Sequence, residues 1–459
     1  MFDVQIISTS SLGDRSYLLS DGQFAAVVDP QRDIDRILEA AQSAGVQITH
    51  VLETHLHNDY VTGGLELAHT VGAAYLVAAA EHVAFDRTGV RDGDLVTVGR
   101  MRLRAMHTPG HTHHHLSYAL QTEHGDTEAV FTGGSMLFGA TGRTDLVDPH
   151  DTENLTHDQF RSVQRLAAEL PADARVLPTH GFGSFCSATP TSGEQSTIGE
   201  QRLSNPALTQ PEQDFVDELI AGLGAYPAYY AHMMPLNSAG PAPIDLSMPE
   251  LLDAAALRAR IAAGEWVVDL RSRTAFAAGH LPGSYSFELS DNFVTYLGWL
   301  HPWDTPLTLL GATADDVLSA RRELARIGID RLDGAHLGDP ASDDGGTGEL
   351  RTYPVVDFAD LADALTRGQV HVLDTRRDDE RAQAAIPGSQ HIPIHELPER
   401  HDEVPPGQVC VHCGSGYRAS IAASLLDDGT RDVLHIDDTF EHADKLGLTN
   451  RETNAAGSS

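Results

Sequence analysis

The sequence ETHLHNDY at residues 53–60 is the most informative motif of the N-terminal half. It follows residues 48–52, a run rich in β-branched and aliphatic residues that predicts a strand. His55 and His57 stand at i and i+2 at the end of that strand and therefore point into the same cleft. Paired imidazoles in a cleft, with Asp59 beside them, are typical of metal ligands rather than of packing residues. The stretch predicts a metal site at a strand end.

Two further histidines follow predicted strands in the same way. His111 ends the sequence TPGH at residues 108–111, and His180 lies in PTHG at residues 178–181. Histidines on several separate strand-end loops are not explained by packing alone, so we expect them to share one site. Three consecutive histidines, expected in an accessory or surface role because adjacent strand residues alternate faces, are His113, His114 and His115.

The C-terminal half contains an internal repeat. VVDLR at residues 267–271 returns as VLDTR at 372–376, and LPGS at 281–284 returns as IPGS at 386–389. Each copy alternates strand and helix, which predicts two small parallel α/β domains. We expect linkers at residues 237–243 before the first copy and at 342–348 between the copies.

A cysteine loop follows a predicted strand in the second copy. The sequence VCVHCGSGYR at residues 409–418 leads directly into a predicted helix. Backbone N–H groups and the helix dipole at such a loop favour a thiolate at Cys413, and Arg418 adds positive charge. The same loop would bind a persulfide or sulfite anion. Its expected substrate-binding residues are Gly414, Ser415, Gly416 and Tyr417.

Neither the second cysteine of this strand nor the first repeat copy is expected to carry sulfur. Cys410 forms C-x-x-C with Cys413, but its place on a strand turns it away from the loop, so we expect no redox pair. In the first copy Gly311 stands where Cys413 stands, and Asp316 where Arg418 stands. That copy is predicted to keep the fold without sulfur transfer.

Composition restricts the partners and the compartment. The 459 residues carry a formal net charge of −35, which disfavours nucleic acid and anionic membranes as partners. No signal peptide or membrane span is evident, and three cysteines cannot form a disulfide framework. We expect a cytoplasmic homo-oligomer with free thiols and small-molecule substrates.

The N-terminal motifs resemble the metallo-β-lactamase superfamily, and GRTD at residues 142–145 with HGFGSFC at 180–186 resembles its persulfide dioxygenase branch. The C-terminal motifs resemble rhodanese sulfurtransferases. The resemblance implies an αββα metallo-β-lactamase-like sandwich followed by two rhodanese-like α/β domains. The implied boundaries are 1–240, 245–340 for a degenerate rhodanese-like domain, and 352–450 for the rhodanese domain.

The resemblance also implies a reaction. In that branch Fe(II) and O2 oxidise a persulfide to sulfite, and a rhodanese cysteine, here Cys413, accepts and passes on sulfane sulfur, with sulfite and thiosulfate as partners. Cys186 would bind the incoming persulfide or be inert. Arg143 would hold a substrate carboxylate or cap a loop carbonyl.

The sequence departs from the family pattern at two ligand positions. Gly134 replaces the ligand aspartate of FTGD, and Tyr60 replaces a histidine. A three-histidine site of His55, His57 and His111 remains, with Asp59 and His180 nearby. Fe(II) is expected, zinc is the alternative, and a metal-free sulfur-binding domain is also open. Thioester hydrolysis of the glyoxalase II type is the other enzymatic alternative. Gly134→Asp is expected to raise iron affinity.

Overall fold

The computed structural model describes residues 2–189, 191, 193–339, 350–368 and 370–451. Its internal contacts divide the chain into two units. The first contains residues 1–245 and 322–330, and the second contains residues 246–321 and 331–459. Among the described helices, none is both long enough and apolar enough to cross a bilayer.

The first unit contains two sheets. The six-stranded sheet has the order β1 (Asp3–Thr9), β2 (Asp14–Ser20), β3 (Phe24–Val28), β4 (Gln47–Leu52), β5 (Ala74–Ala78) and β6 (Thr88–Val90). The five-stranded sheet contains β7 (Leu95–Val98), β8 (Met101–His107), β9 (Leu116–Gln121), β10 (Thr127–Gly133) and β11 (Arg175–Pro178), in reverse order. The helices are α1 (Asp35–Ala44), α2 (Gly64–Val71), α3 (Thr152–Glu169), α4 (Ile198–Ser204), α5 (Pro206–Thr209), α6 (Glu212–Gly222) and α7 (Tyr230–Ala239), with a 3-10 turn at Pro149–Asp151.

Three layers of apolar packing hold this unit together. Residues of both sheets, among them Tyr17 and Phe131, form a central core. The outer face of the first sheet packs on α1 and α2 through Ile37 and Leu67, and that of the second packs on α3 through Val163. This is the predicted αββα sandwich.

The sheets bring the ends of several strands to one edge. Strand β4 ends at Leu52, directly before the histidine motif, as the sequence predicted. Strand β10 pairs in parallel with β11, which places Gly133 beside Pro178 and so brings the loops that follow both strands together.

The predicted linker at 237–243 begins too early. Helix α7 continues to Ala239, and the buried Asn237 amide donates to the carbonyls of His57 and Tyr60 at 2.9 Å each. Asn237 Oδ1 also accepts from the Thr62 N–H at 2.9 Å. The last turn of α7 therefore fixes the backbone of the histidine motif and cannot be a free connection.

The second unit contains the two repeat copies, each with a parallel sheet. The first sheet has the order β13 (Tyr285–Ser286), β12 (Trp266–Asp269), β14 (Leu307–Gly311) and β15 (Gly334–Leu337). The second has the order β16 (Val355–Val356), β21 (Arg431–Ile436), β20 (Gly407–His412), β17 (His371–Asp374) and β19 (Gln390–His391), and a small separate pair joins β18 (Ala384–Ala385) to β22 (Asn450–Arg451). The helices are α8 (Ala254–Ala262), α9 (Arg273–Ala278), α10 (Phe293–Leu300), α11 (Ala314–Arg326), α12 (Phe358–Arg367), α13 (Asp378–Gln383), α14 (Leu397–Arg400), α15 (Tyr417–Leu426) and α16 (Phe440–Lys445), with a 3-10 turn at His401–Glu403.

Equivalent register confirms that the two copies share a fold. Asp269 pairs with Leu310 in the first sheet, and Asp374 pairs with His412 in the second. Leu310 and His412 each lie one residue before the aligned positions Gly311 and Cys413. The contact division assigns the end of α11 to the first unit, so the predicted boundaries at 240, 245, 340 and 352 stay a proposal. The predicted linker at 342–348 lies outside the described residues.

Candidate metal centre and sulfur-transfer site

Buried histidines gather at the shared strand ends of the first unit. The His55 ring centre lies 4.2 Å from that of His57, 4.8 Å from His111 and 5.2 Å from His180. All four side chains are at most 1% exposed. The structure therefore brings the four sequence-predicted histidines into one cluster.

Hydrogen bonds fix the orientation of three of these rings. His55 Nδ1 lies 2.8 Å from Thr54 Oγ1, and His111 Nδ1 lies 2.7 Å from the carbonyl of Arg143, to which it donates. His57 Nε2 lies 2.9 Å from the Tyr60 hydroxyl. One nitrogen of each ring is thus held by the protein, which leaves the other to face the cluster.

Three carboxylates that sequence reasoning missed, Asp14, Asp29 and Glu53, surround the imidazoles together with the predicted Asp59. Asp14 Oδ1 and Asp59 Oδ2 lie 2.9 and 3.0 Å from His180 Nδ1, and Glu53 Oε2 lies 3.2 Å from His57 Nε2. Asp29 accepts from the backbone and hydroxyl of Thr54 at 2.6 and 2.7 Å. Asp29 has a φ of 51°, rare for a non-glycine residue. Its position at the end of β3 was the signal available in the sequence.

Burial and the neighbouring charges move the pKa values of His57 and His111 in opposite directions. Burial lowers the pKa of His57, but the Asp29 and Glu53 carboxylates outweigh it and raise the value to about 9. Burial and the charge of His180 lower the pKa of His111 to about 3. Burial, with the charge of Asp59, raises the pKa of Asp14 to about 7. His111 is therefore a neutral imidazole, the form that binds metals.

The donor atoms fit a metal ion. Within the described part of the chain, His57 Nδ1, His111 Nε2 and Asp59 Oδ1 are buried without a hydrogen-bond partner. One nitrogen each from His55, His57 and His180 lie within 4.8 Å of one another, and the same holds for His111, His180 and the Cys186 sulfur. Imidazole, carboxylate and thiol donors suit both iron and zinc.

Gly134 leaves no space for the carboxylate expected there. A Cβ at position 134 would overlap the His111 ring, 2.6 Å from its Cγ. A Cβ at Gly142 would lie 2.7 Å from His111 Nδ1. The imidazole is enclosed by two glycines, so a side chain at position 134 would have to displace the His111 ring, which counts against the expectation that Gly134→Asp raises iron affinity.

His115 is buried, contrary to the surface alternative. Its side chain is fully buried, its ring stacks on His55 at 5.0 Å, and its Nε2 accepts from the Gly134 N–H at 3.1 Å. His113 and His114 remain partly exposed. Thr108 Oγ1 lies 2.9 Å from the other ring nitrogen, so both nitrogens of His115 are hydrogen-bonded. His115 therefore packs against the metal-site histidines without a nitrogen free to bind the ion.

Arg143 has internal partners instead of the expected substrate carboxylate. Its guanidinium donates to both Asp145 oxygens at 2.7 and 2.8 Å and to the Gly224 carbonyl at 2.7 Å. It also lies over the Tyr226 ring, 4.6 Å from its centre. Of the two roles that the sequence left open, these contacts show the second: the side chain caps a loop carbonyl and fixes the segment around residue 224.

Cys186 lies at the histidine cluster. The side chain is fully buried, and its thiol contacts Asp59 and the hydroxyl of Tyr230. Burial, with the charges of Asp59 and Asp14, raises the pKa of the thiol well above its ordinary value. The cysteine is thus a neutral thiol in the absence of a metal.

Cys413 lies in a backbone cradle at the start of α15. The N–H groups of Ser415 and Gly416 donate to its sulfur at 3.5 and 3.1 Å. Gly416 has a φ of 90°, and a Cβ there would overlap the Asp437 side chain. Only glycine permits this loop to turn its amides toward the sulfur.

The neighbouring loop residues Arg418 and Tyr417 make hydrogen bonds outside the Cys413 cradle. Arg418 donates to both Glu380 oxygens at 2.5 and 2.7 Å, which holds its charge beside Cys413. A Cβ at Gly414 would lie 3.1 Å from an Arg418 nitrogen. The Tyr417 hydroxyl donates to the Glu288 carbonyl at 3.2 Å, so its side chain joins the two copies.

The first copy contributes one residue that the sequence did not indicate. Tyr296 on α10 packs on Tyr417, with ring centres 5.8 Å apart, and is close enough to Cys413 and Arg418 for their charges to act on its phenol. Burial raises the pKa of that phenol. An apolar helix gives no sequence signal for such a position.

Two other positions behave as the sequence predicted. Cys410 packs in the apolar core of the second copy, and burial raises the pKa of its thiol to about 12. At the start of α11, Asp316 Oδ2 accepts from the Thr313 N–H at 2.9 Å. An internal carboxylate therefore occupies the first copy's helix start, where an anion would bind in the second.

Comparison with known families agrees with this architecture. Residues 14–180 match the metallo-beta-lactamase superfamily, and residues 357–442 match the rhodanese-like domain. The chain therefore joins a metallo-β-lactamase superfamily domain to a C-terminal rhodanese domain. A solved metallo-beta-lactamase from Staphylococcus aureus subsp. aureus COL is 27% identical, with a TM-score of 0.66 over 74% of this chain and 99% of that one.

Two curated relatives resemble the N-terminal part. The human persulfide dioxygenase ETHE1, mitochondrial, is 28% identical over 44% of this chain and 74% of its own length. A hydroxyacylglutathione hydrolase of Prochlorococcus marinus is 32% identical over 35% of this chain and 60% of its own length. Both are enzymes of sulfur-containing substrates, and the rhodanese domain points the same way, so the chain is an enzyme of sulfur metabolism.

Proposed function

We propose that the chain oxidises a small-molecule persulfide to sulfite in its first unit and transfers sulfane sulfur through Cys413 in its second. The observation that carries this proposal is the Cys413 cradle, with two backbone N–H groups on the sulfur, in a chain that also holds a buried histidine cluster. A sulfur carrier fused to a metal centre favours a sulfur substrate for both.

Fe(II) is the metal that this activity needs, and His55, His57, His111, Asp59 and His180 would hold it. A bound iron ion supplies the activation of O2. The protein residues orient the imidazoles and exclude water from the buried cluster, as Thr54, Tyr60 and the Arg143 carbonyl do in the structure.

In the second unit the residues act directly on sulfur. The cradle stabilises the Cys413 thiolate and its persulfide through the same two N–H groups. The Arg418 guanidinium, oriented by Glu380, attracts the oxygens of sulfite or thiosulfate. The sulfane sulfur moves from the persulfide RSSH to the Cys413 thiolate, RSH leaves, and sulfite then takes the sulfur as thiosulfate and restores the thiolate; the reverse direction is the thiosulfate sulfurtransferase reaction.

Thioester hydrolysis is the second candidate, since hydroxyacylglutathione hydrolases match the same segment. That chemistry generally uses two metals to make hydroxide and to polarise the carbonyl. The Tyr60 hydroxyl is hydrogen-bonded to His57 Nε2 and to the Asp29 carbonyl. Position 60 therefore offers no ligand to a second ion. This geometry favours a single metal and hence the dioxygenase.

Oxygen uptake by full-length, Fe(II)-loaded protein given a glutathione or cysteine persulfide tests the proposal, with sulfite measured as product. We expect uptake with iron and none with zinc. The same preparations, given a glutathione thioester, test the hydrolase. No uptake by protein shown to hold iron would overturn the dioxygenase, and an absence of bound metal would leave only the sulfur-binding alternative.

A further inference from the structure

The structure leaves the metal centre short of an anionic ligand. No carboxylate fits at position 134, because a Cβ there would overlap His111. A centre of neutral imidazoles alone carries the full charge of the ion in a buried site, which is unfavourable without a nearby anion. The negative charge must therefore come from acidic groups elsewhere at the cluster.

The carboxylates around the cluster already serve the histidines. Asp14 and Asp59 both contact His180 Nδ1. Asp29 accepts a hydrogen bond from the Thr54 N–H and lies 3.4 Å from His57 Nε2. Glu53 accepts from Thr62 at 2.5 Å and from Tyr75 at 2.9 Å. Asp14, Asp29 and Glu53 would have to abandon those contacts to reach the ion, whereas Asp59 keeps one oxygen, Oδ1, without a hydrogen-bond partner among the described residues.

Besides Asp59, Cys186 is an acidic group that lies at the cluster. Its sulfur, one His111 nitrogen and one His180 nitrogen lie within 4.8 Å of one another. The backbone around it is fixed, since the Arg143 N–H donates to the Cys186 carbonyl at 2.9 Å and the Cys186 N–H donates to Ser184 Oγ at 3.1 Å. The thiol is thus held toward the two imidazoles.

His111 gives an independent indication of a ligand at this point. The ring is fully buried, its Nδ1 is occupied by the Arg143 carbonyl, and its Nε2 is without a partner among the described residues. A buried imidazole nitrogen left unpaired is costly unless an ion fills the place. The unpaired nitrogen and the thiol belong to the same group of donors.

We propose that Cys186 supplies an anionic ligand of the metal centre, as a thiolate beside His111 and His180, in place of the carboxylate that position 134 lacks. This inference rests on the proposed metal centre and deepens it. As the metal–sulfur bond forms, the thiol loses one proton to solvent, and no electrons are exchanged. The Arg143 guanidinium, close enough to the sulfur for their charges to interact, favours the thiolate.

Cobalt substitution tests the ligand without any assay of activity. Full-length protein, stripped of metal and titrated with Co(II) under anaerobic conditions, should develop a near-ultraviolet sulfur-to-cobalt charge-transfer band. Cys186→Ser should lose this band and bind Co(II) at least about 10–100-fold more weakly. Cys186→Asp should keep the metal without the band, which also shows that the variant is folded.

The other two cysteines provide matched controls. Cys410→Ala and Cys413→Ser should both retain the band, because neither cysteine belongs to the histidine cluster. Bound Co(II) without a band in the unsubstituted protein would overturn the inference, as would a band that survives in Cys186→Ser. A band in a protein that consumes no oxygen would retain the inference while the proposed dioxygenase fails.

Discussion

His111 shows how a single substitution changes a buried site. Its ring lies between Gly134 and Gly142, and a side chain at either position would overlap it. The imidazole itself is held by the Arg143 carbonyl at 2.7 Å. The glycine at 134 is therefore part of the space that the ligand needs, and a carboxylate cannot be restored there at no cost.

Gly134→Asp should weaken metal binding, because the new side chain displaces the His111 ring from its place. Metal content after dialysis, measured by elemental analysis, should fall by about tenfold or more, as for loss of an orienting group. Gly222→Asp is a matched control, since a Cβ at Gly222 meets no atom within 4 Å. Higher affinity in Gly134→Asp would show that the ring moves aside readily.

His412 is a buried neutral histidine next to the sulfur carrier. It stacks on Phe440 with ring centres 5.6 Å apart, and both of its nitrogens are without hydrogen-bond partners among the described residues. Burial lowers its pKa from the ordinary 6.5 to about 4. Between those pH values the unfolded chain binds a proton that the folded chain refuses, so stability is lost as pH falls through that window.

We expect His412→Phe to reduce the acid sensitivity of the second unit. At about 1.4 kcal/mol per pH unit, the wild-type histidine contributes a loss of about 3 kcal/mol between pH 6.5 and 4. Urea unfolding followed by tryptophan fluorescence measures it, because all three tryptophans, Trp266, Trp299 and Trp303, lie in this unit. His301, with a pKa lowered to about 4, should leave a residual slope. An unchanged slope in the variant would contradict the assignment.

At the scale of elements, two helix starts account for the difference between the repeat copies. In the second copy Gly416 has a positive φ and turns two N–H groups toward Cys413 before α15 begins. In the first copy the helix begins at Ala314, and Asp316 accepts from the Thr313 N–H. The same strand–loop–helix unit thus turns its N–H groups toward the Cys413 sulfur in one case and toward an internal carboxylate in the other.

Gly416→Ala should abolish sulfur transfer by distorting this loop. The substitution adds strain at a φ of 90° and an overlap with Asp437. Gly447→Ala is the matched control, since its φ of 69° gives similar strain in open space. We expect about 1 kcal/mol of destabilisation in the control and a larger loss, with less than about 1% of thiosulfate sulfurtransferase activity, in Gly416→Ala. Equal effects would show that backbone strain alone governs the loop.

The sequence predicted the strand before the histidine motif and the end of that strand. It did not predict contacts between residues that are far apart in the sequence. Residues 48–52 and the histidine motif follow a local pattern, so β4 and the site after it were predictable. Asp14 meets His180 across a sequence separation of 166 residues, and Asn237 meets His57 across 180. Such pairings depend on how the sheets pack, which no local periodicity encodes. The sequence left two roles open for Arg143 for the same reason, because its partner Gly224 lies 81 residues away.

At the scale of the whole molecule, the proposal joins two reactions in one chain. Oxidation follows RSSH + O2 + H2O → RSH + SO3²⁻ + 2H⁺, and transfer follows RSSH + SO3²⁻ → RSH + S2O3²⁻. Both balance in atoms and charge, and the product of the first is a substrate of the second. The only sulfur carrier that the structure places in a backbone cradle, among the described residues, is Cys413.

Cys413→Ser should therefore change the product of the full-length enzyme rather than its oxygen uptake. With Fe(II) and excess glutathione persulfide, the unsubstituted protein should form thiosulfate, whereas the variant should accumulate sulfite at a similar rate of oxygen consumption. Chromatography of the derivatised anions separates the two products. Cys410→Ala serves as the matched control, because Cys410 lies in the apolar core, and it should still form thiosulfate. Thiosulfate formation by Cys413→Ser at the wild-type rate would show that the sulfur reaches sulfite without Cys413, and the second unit would then act on a different acceptor.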